Sequence, residues 1–157
     1  MRVTSLMAEL PPTKVRTHLR GLPKAVGYEL VVKPLRYRKR PHLAAMTDFA
    51  ARQVILQVPQ PFFRFKELVP YAAKRTQGKG IRFLWLSEGV TFRTPREVLR
   101  FLYCHEWMHW YLRERLGRAS AAETACDRFA LMNYRRSFVT EEDAEAALRA
   151  RGSRQRP

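Results

Sequence analysis

A chain of 157 residues, 46% of them hydrophobic, is long enough for one domain with a real core and too short for two of ordinary size. The 30 lysines and arginines outweigh 14 acidic residues to a formal charge of +16, which favours a polyanionic partner, nucleic acid foremost. Two cysteines cannot staple a domain of this size, no uninterrupted apolar window reaches a membrane span, and the first residues lack the apolar segment of a secretory signal. An intracellular, cytoplasmic protein with reduced cysteines and no membrane partner is therefore expected.

Residues 1–23 open with a short apolar patch, break at Pro11 and Pro12, and predict a short helix from Thr13 to Arg20 that Gly21 and Pro23 stop. The β-branched run within 26–35 predicts a strand, followed by a basic turn through Pro41. Lys33, Arg36, Arg38, Lys39 and Arg40 have no acid among them, and Tyr37 is interleaved. They are the candidate nucleic-acid contacts, cations for phosphate and a ring to stack a base, although a solvated hairpin tip would hold the same residues. Two further strands, 42–47 and 53–58, flank a turn near Asp48, and the second sets Val54, Leu56 and Val58 against Gln53, Ile55 and Gln57. The aromatic segment 62–73 has helical character, 77–80 is a glycine-containing flexible turn, and 81–86 reads as a strand. That strand is apolar on both faces and hence covered, and suited to line a cleft as an edge.

Thr94, Pro95 and Glu97 supply an N-cap, a first-turn proline and a capping-box acid, so a helix is predicted from Pro95 to about Leu116, ended by Gly117. A second helix follows over about 121–136, and a third begins at Thr140 with acids in its first turn. The expected architecture is α+β, a single domain over 1–150. A small, mostly antiparallel sheet from the N-terminal half packs on the central helix, two C-terminal helices follow, and 151–157 forms a disordered basic tail.

The central helix carries the chemistry. His105, Glu106 and His109 stand in the order H-E-x-x-H, a zinc-hydrolase signature, within a run that is apolar on nearly every side. Residues four apart stack one helical turn on, so the two imidazoles can serve one ion while Glu106 projects beside it as a general base. Two imidazoles and a carboxylate buried without partners would cost several kcal/mol, an order-of-magnitude figure that argues against a chance match.

A catalytic zinc usually takes three protein ligands. No histidine follows His109, and Leu112 and Arg115 stand where an extended single-helix pattern would need glycine and histidine. The third ligand must come from another element. Glu123 on the next helix is the candidate, with Asp127 four residues on to accept the free N–H of a ligand histidine. Glu123 would otherwise close a capping box with Ser120. Tyr103, Tyr111, Tyr134 and His42 are alternatives for stabilising an oxyanion, and spacing does not choose among them.

The run Glu123-Thr124-Ala125-Cys126-Asp127-Arg128-Phe129-Ala130 after H-E-x-x-H resembles the gluzincin metallopeptidases, and more narrowly the ImmA/IrrE-like family with its E-x-x-A-[ND]-x-F-A helix. Cys126 stands where that family usually has alanine. The resemblance covers roughly 81–131 and implies a zincin-like fold and a zinc endopeptidase that cleaves a DNA-bound repressor, often with a helix-turn-helix domain attached, of which these residues show no convincing pattern. The DNA-associated SprT-like proteases are similar in their strand-then-helix approach, but their usual third ligand, a histidine, is missing. The rival expectation is a basic nucleic-acid-binding or phage-type structural module whose zinc site is structural or degenerate. A retained Glu106 speaks against that, since a structural site has no use for a base.

Overall fold

The period-two alternation of β-branched residues builds the main sheet. Strand β2 (Glu29–Leu35) buries Leu30 and Val32, and β4 (Gln53–Pro59) buries Val54, Leu56 and Val58, so one face of each strand enters the core. A computed structural model describes residues 1–76, 82–118 and 122–150. In it β1 (Val3–Ser5) and β3 (Ala44–Asp48) complete a four-stranded sheet in the order β1-β2-β4-β3.

This sheet is mixed, which corrects the mostly antiparallel expectation. Strand β1 runs parallel to β2, and β2 parallel to β4; only β3 pairs antiparallel, with β4. The turn between β3 and β4, where Arg52 takes a positive φ of 54°, makes the hairpin legible. Its turn chemistry does not say which arm of the hairpin will join β2. The second arm does, and β3 is left as the free edge.

Helix α1 (Pro12–His18) matches its expected position closely, and a long helix α2 (Pro95–Trp110) crosses the sheet. Thr94 caps α2 by accepting the Glu97 N–H at 3.2 Å, and the Glu97 carboxylate takes the Arg93 N–H at 2.8 Å. Trp107, Trp110, Leu99 and Met108 are fully buried around it. Tyr103 pins the segment ahead of β2, donating to the Pro23 carbonyl at 2.7 Å and accepting from the Ala25 N–H at 3.2 Å. The helix does not run on regularly to Leu116. Residues Tyr111–Arg115 form a wider π-helical turn, and Gly117, at φ 65°, closes it in the left-handed region that glycine adopts without strain.

Helix α3 (Glu123–Asn133) packs against α2, and α4 (Glu141–Arg149) against α3, with Thr140 and Asp143 forming the capping box of α4. Two arginines are sealed inside this layer. Arg100 donates to the carbonyls of Tyr134 (2.7 Å), His18 (2.8 Å), Arg20 (3.0 Å) and Arg136, tying the C-terminal ends of α1 and α3 to α2. Arg128 reaches the carbonyls of Ala147 (2.7 Å) and Tyr71 (2.8 Å). A guanidinium against helix C-termini is favourable because their unpaired carbonyls carry the negative end of the helix dipole.

The segment expected to have helical character is instead strand β5 (Phe65–Thr76), paired antiparallel with β6 (Arg82–Phe92). Its Phe, Val and Tyr residues suit a pleated surface, and Pro70 is tolerated where the ladder slips between Pro70 and Ala72. The covering expected for 81–86 also fails: Leu84 is 55% and Trp85 58% exposed. A ribbon of two strands lacks neighbours on its outer edges, and among the described residues its Phe65, Val69, Tyr71, Ala72, Val90 and Phe92 are the buried hydrophobic ones. The expected turn at 77–80 and tail at 151–157 lie outside the described residues. No helix among the described residues is long and apolar enough to cross a membrane.

Candidate metal centre

Within the apolar surroundings of α2, three polar side chains, His105, Glu106 and His109, fall within about one turn of the helix. His105 and His109, a turn apart, have ring centroids 5.0 Å from each other. Glu123, the first residue of α3, lies across from them: its Oε2 is 3.0 Å from His105 Nε2 and its Oε1 3.1 Å from His109 Nε2. One ligand atom each from His105, His109 and Glu123 fall within 4.8 Å of one another, a spacing a single cation can span. Two imidazoles and one carboxylate form a donor set known to hold zinc with a position left open.

On the other side of His105, the Asp127 Oδ1 is 2.7 Å from Nδ1. With the Nδ1 proton given to Asp127, the Nε2 lone pair of His105 faces the cluster. Glu106 is 5% exposed; its Oε1 accepts from the Thr47 hydroxyl at 2.9 Å, and its Oε2 lies 3.7 Å from His105 Nε2. The same hydroxyl is 3.2 Å from the Glu106 carbonyl, so β3 clips directly onto the helix at the motif.

The electrostatics are those of a site crowded with acid. Burial works against a charge on His105, but hydrogen bonds to Asp127 and Glu123 and the field of Glu106 outweigh it and raise its pKa to about 10. Burial raises Glu106, whereas His109 is lowered by burial and by its neighbour His105. The hydrogen bond from His105 holds Glu123 below the usual carboxylate range. Free of metal, the cluster thus keeps a proton on His105 that a cation would replace.

These groups border a cleft of about 310 Å³. Its far wall is the edge strand β3, through Ala45, Met46 and Thr47, and Arg113 and Arg118 close one end. Among the described residues, β6 contributes no lining side chain, so the expectation that 82–86 form the cleft edge is corrected in favour of β3.

The structure brings His105, Glu106, His109, Glu123 and Asp127 together. It leaves the oxyanion alternatives outside the cleft. Tyr103 is committed to the Pro23 carbonyl, Tyr111 to the Glu145 carboxylate, Tyr134 packs on Phe101, and His42 is exposed beside the Arg40 carbonyl. Ser120 lies outside the described residues, and the residue capping α3 is Ala122. Arg36, Arg38, Lys39 and Arg40 are exposed on the loop after β2 and Lys33 is half-buried within that strand; none borders the cleft. The Tyr37 hydroxyl donates to the Pro61 carbonyl at 2.5 Å.

Sequence reasoning missed Thr47, Arg113 and Arg118. Arg113 had a signal, the next step in the four-residue series from His105 through His109. Thr47 had none, because only the strand order puts it beside α2. Both cysteines are free and buried, and burial pushes the Cys104 thiol up to about 12, so they serve as small packing groups and not as metal thiolates. No protein-family model, curated protein or solved structure matches this chain.

Proposed function

We propose that this chain is a zinc-dependent metalloendopeptidase with a zincin-like fold, similar in its motifs to the ImmA/IrrE-like gluzincins. The observation that carries the reading is the convergence of His105, His109 and Glu123 within 4.8 Å at a cleft, with a buried carboxylate beside them that is not needed as a ligand. A structural zinc would be closed by four ligands and would have no use for Glu106.

Zinc, when bound, supplies Lewis acidity toward a carbonyl oxygen and brings the ionisation of water toward neutral pH. In this reading Glu106 takes the proton of the attacking water and hands it to the leaving amine. Its burial raises its pKa toward the range where a carboxylate can do both, and Thr47 fixes its orientation through Oε1 while Oε2 stays directed at the cluster. Asp127 holds the His105 ring in one tautomer. The unpaired edge of β3 offers backbone donors and acceptors to an extended peptide laid across the cleft.

Glu106→Gln tests this. The variant should bind zinc and fold as the parent does while hydrolysis of protein or peptide substrates falls by at least the 100-fold typical of a lost general base. Undiminished turnover in it would remove the mechanism.

The exposed cations at Arg36, Arg38, Lys39 and Arg40 support a second element of the reading, delivery to DNA-bound proteins. DNA affinity should then fall steeply with salt, and neutralising those four should flatten the log–log slope by about one per lost phosphate contact. A parent protein with no DNA affinity at low salt would end that part of the proposal.

A further inference from the structure

The end of the cleft beyond the metal-ligand cluster is cationic and unneutralised. Four residues per step carries an α-helical side chain about 40° round the axis at each step, so a third residue in the series from His105 and His109 should drift off the cleft face. It does not, because the wider turn that begins at Tyr111 takes more residues per turn and offsets the drift. Arg113 therefore stays at the cleft, its guanidinium 4.4 Å from the Phe49 ring centroid, a cation–π contact that holds its position without consuming its N–H donors. Arg118 joins it where the chain reverses after Gly117, with its backbone N–H bonded to the Leu112 carbonyl at 2.9 Å.

The acids of the cleft cannot serve them. Glu123 is engaged by both histidines and Glu106 by Thr47, and among the described residues neither guanidinium lies within ion-pair distance of a carboxylate. Two arginines with free planar forks lining a cleft match an anion with paired oxygens, a carboxylate or a phosphate, and of these a peptide substrate carries the carboxylate.

The geometry points to a subsite in which Arg113 and Arg118 grip a substrate carboxylate close to the scissile bond, an inference that rests on the peptidase reading of the same cleft. Arg113 lies four residues beyond His109, about 6 Å along the helix axis, and an extended peptide advances about 3.3 Å per residue. The carboxylate thus belongs within about two residues of the bond that is cut. It is either an aspartate or glutamate side chain or the substrate's own C-terminal carboxylate.

Two measurements on the zinc-loaded protein test the subsite. The first needs no turnover: calorimetric binding of a succinic acid monohydroxamate and of its amide twin, which differ only in the free carboxylate. The carboxylate form should bind about 10- to 100-fold tighter, as charge-assisted hydrogen bonds of this kind allow. Arg113→Gln/Arg118→Gln should bring the two probes level, and Arg113→Lys/Arg118→Lys should recover part of the difference. The second measurement follows quenched peptides carrying glutamate or glutamine at each position near the cut, with free or amidated C-termini, and reads the ratio of their kcat/KM values. A ratio above one at an internal position identifies a side chain, and one that depends on the free terminus identifies a C-terminal carboxylate.

Equal binding of the two hydroxamates by the parent, or a preference that survives the double glutamine substitution, overturns the subsite. A preserved binding preference with no hydrolysis of any peptide overturns the peptidase reading alone. Failure of the zinc-loaded protein to bind either hydroxamate overturns both.

Discussion

Two polar clusters sit on α2 five residues apart, one buried and one at the wall of a cleft, and they are built on opposite principles. Arg100, 2% exposed, is enclosed by the backbone carbonyls of His18, Arg20, Tyr134 and Arg136. Every listener around it is a main-chain group that cannot titrate or leave, and the pairing closes three segments of chain into one unit. His105 is enclosed by the side chains of Asp127, Glu123 and Glu106, all titratable, at the wall of an open cleft. Burying polar atoms is costly in both places, but only at Arg100 is the cost met by partners the fold already holds in surplus, the free carbonyls of helix ends. The second cluster has more acid than its two imidazoles can use. That excess is what a cation would relieve, and it separates a structural polar cluster from one arranged for a ligand.

Breaking the closed cluster should have the largest effect. Arg100→Met leaves its carbonyl partners buried without a donor and should cost about 3–5 kcal/mol in denaturant unfolding, as removal of one partner of a buried charged group does. The fraction that folds should still take up zinc. A loss below about 1 kcal/mol, on the scale for a single ordinary hydrogen bond, would mean the cage is slack and the contrast with His105 misplaced.

The open cluster should respond to metal instead. Zinc at a thousandfold excess over its Kd should raise the stability of the parent by about 4 kcal/mol, a linkage effect that His109→Ala should abolish. Asp127 bonds His105 Nδ1 and lies outside the His105, His109 and Glu123 cluster, so Asp127→Asn should weaken zinc binding by only about 10- to 100-fold, and Glu123→Ala should weaken it more. The reverse order in a competition titration would make Asp127 the ligand and Glu123 the helper.

The two clusters also differed in how far the sequence revealed them. His105, Glu106 and His109 announce themselves because their chemistry depends on spacing within one helix, and Glu123 and Asp127 repeat that spacing on the next. Arg100 is silent: nothing near it in sequence says that carbonyls from two distant segments will meet there. The same division runs through the fold. Strand β4 and the capped start of α2 were legible, since alternation and capping are local, as was the start of α4 at Thr140 with acids in its first turn. The parallel pairing of β2 with β4, the edge position of β3, and the exposure of Leu84 and Trp85 were not, because they depend on which elements become neighbours. Arg113 falls between, readable from spacing only once the π-helical turn is known to hold it in phase.

The smallest effect should come from the rim of the closed cluster, where a titratable pair does appear. Arg136, whose carbonyl Arg100 holds, points its own guanidinium at Asp143 Oδ1, 2.6 Å away, and Asp143 Oδ2 accepts the Thr140 N–H at 2.8 Å. Partial burial disfavours the charged carboxylate, but the Thr140 hydrogen bond and Arg136 prevail and hold its pKa below the ordinary aspartate value. A depressed folded pKa contributes stability that is present above the unfolded value of about 4 and is lost as pH falls through the lower folded value. Asp143→Asn should therefore cost about 1 kcal/mol at neutral pH, typical of a weakened cap, and the difference between variant and parent should shrink in acid. Among the described residues Arg100 hydrogen-bonds only backbone carbonyls, and the titratable side chains in its field are His18, Arg96 and Cys104 and no carboxylate, so Arg100→Met should show no such convergence through the carboxylate range. If both variants converged on the parent at low pH, Arg100 would be coupled to the rim acid, and its cage would not be the closed, backbone-only cluster described above.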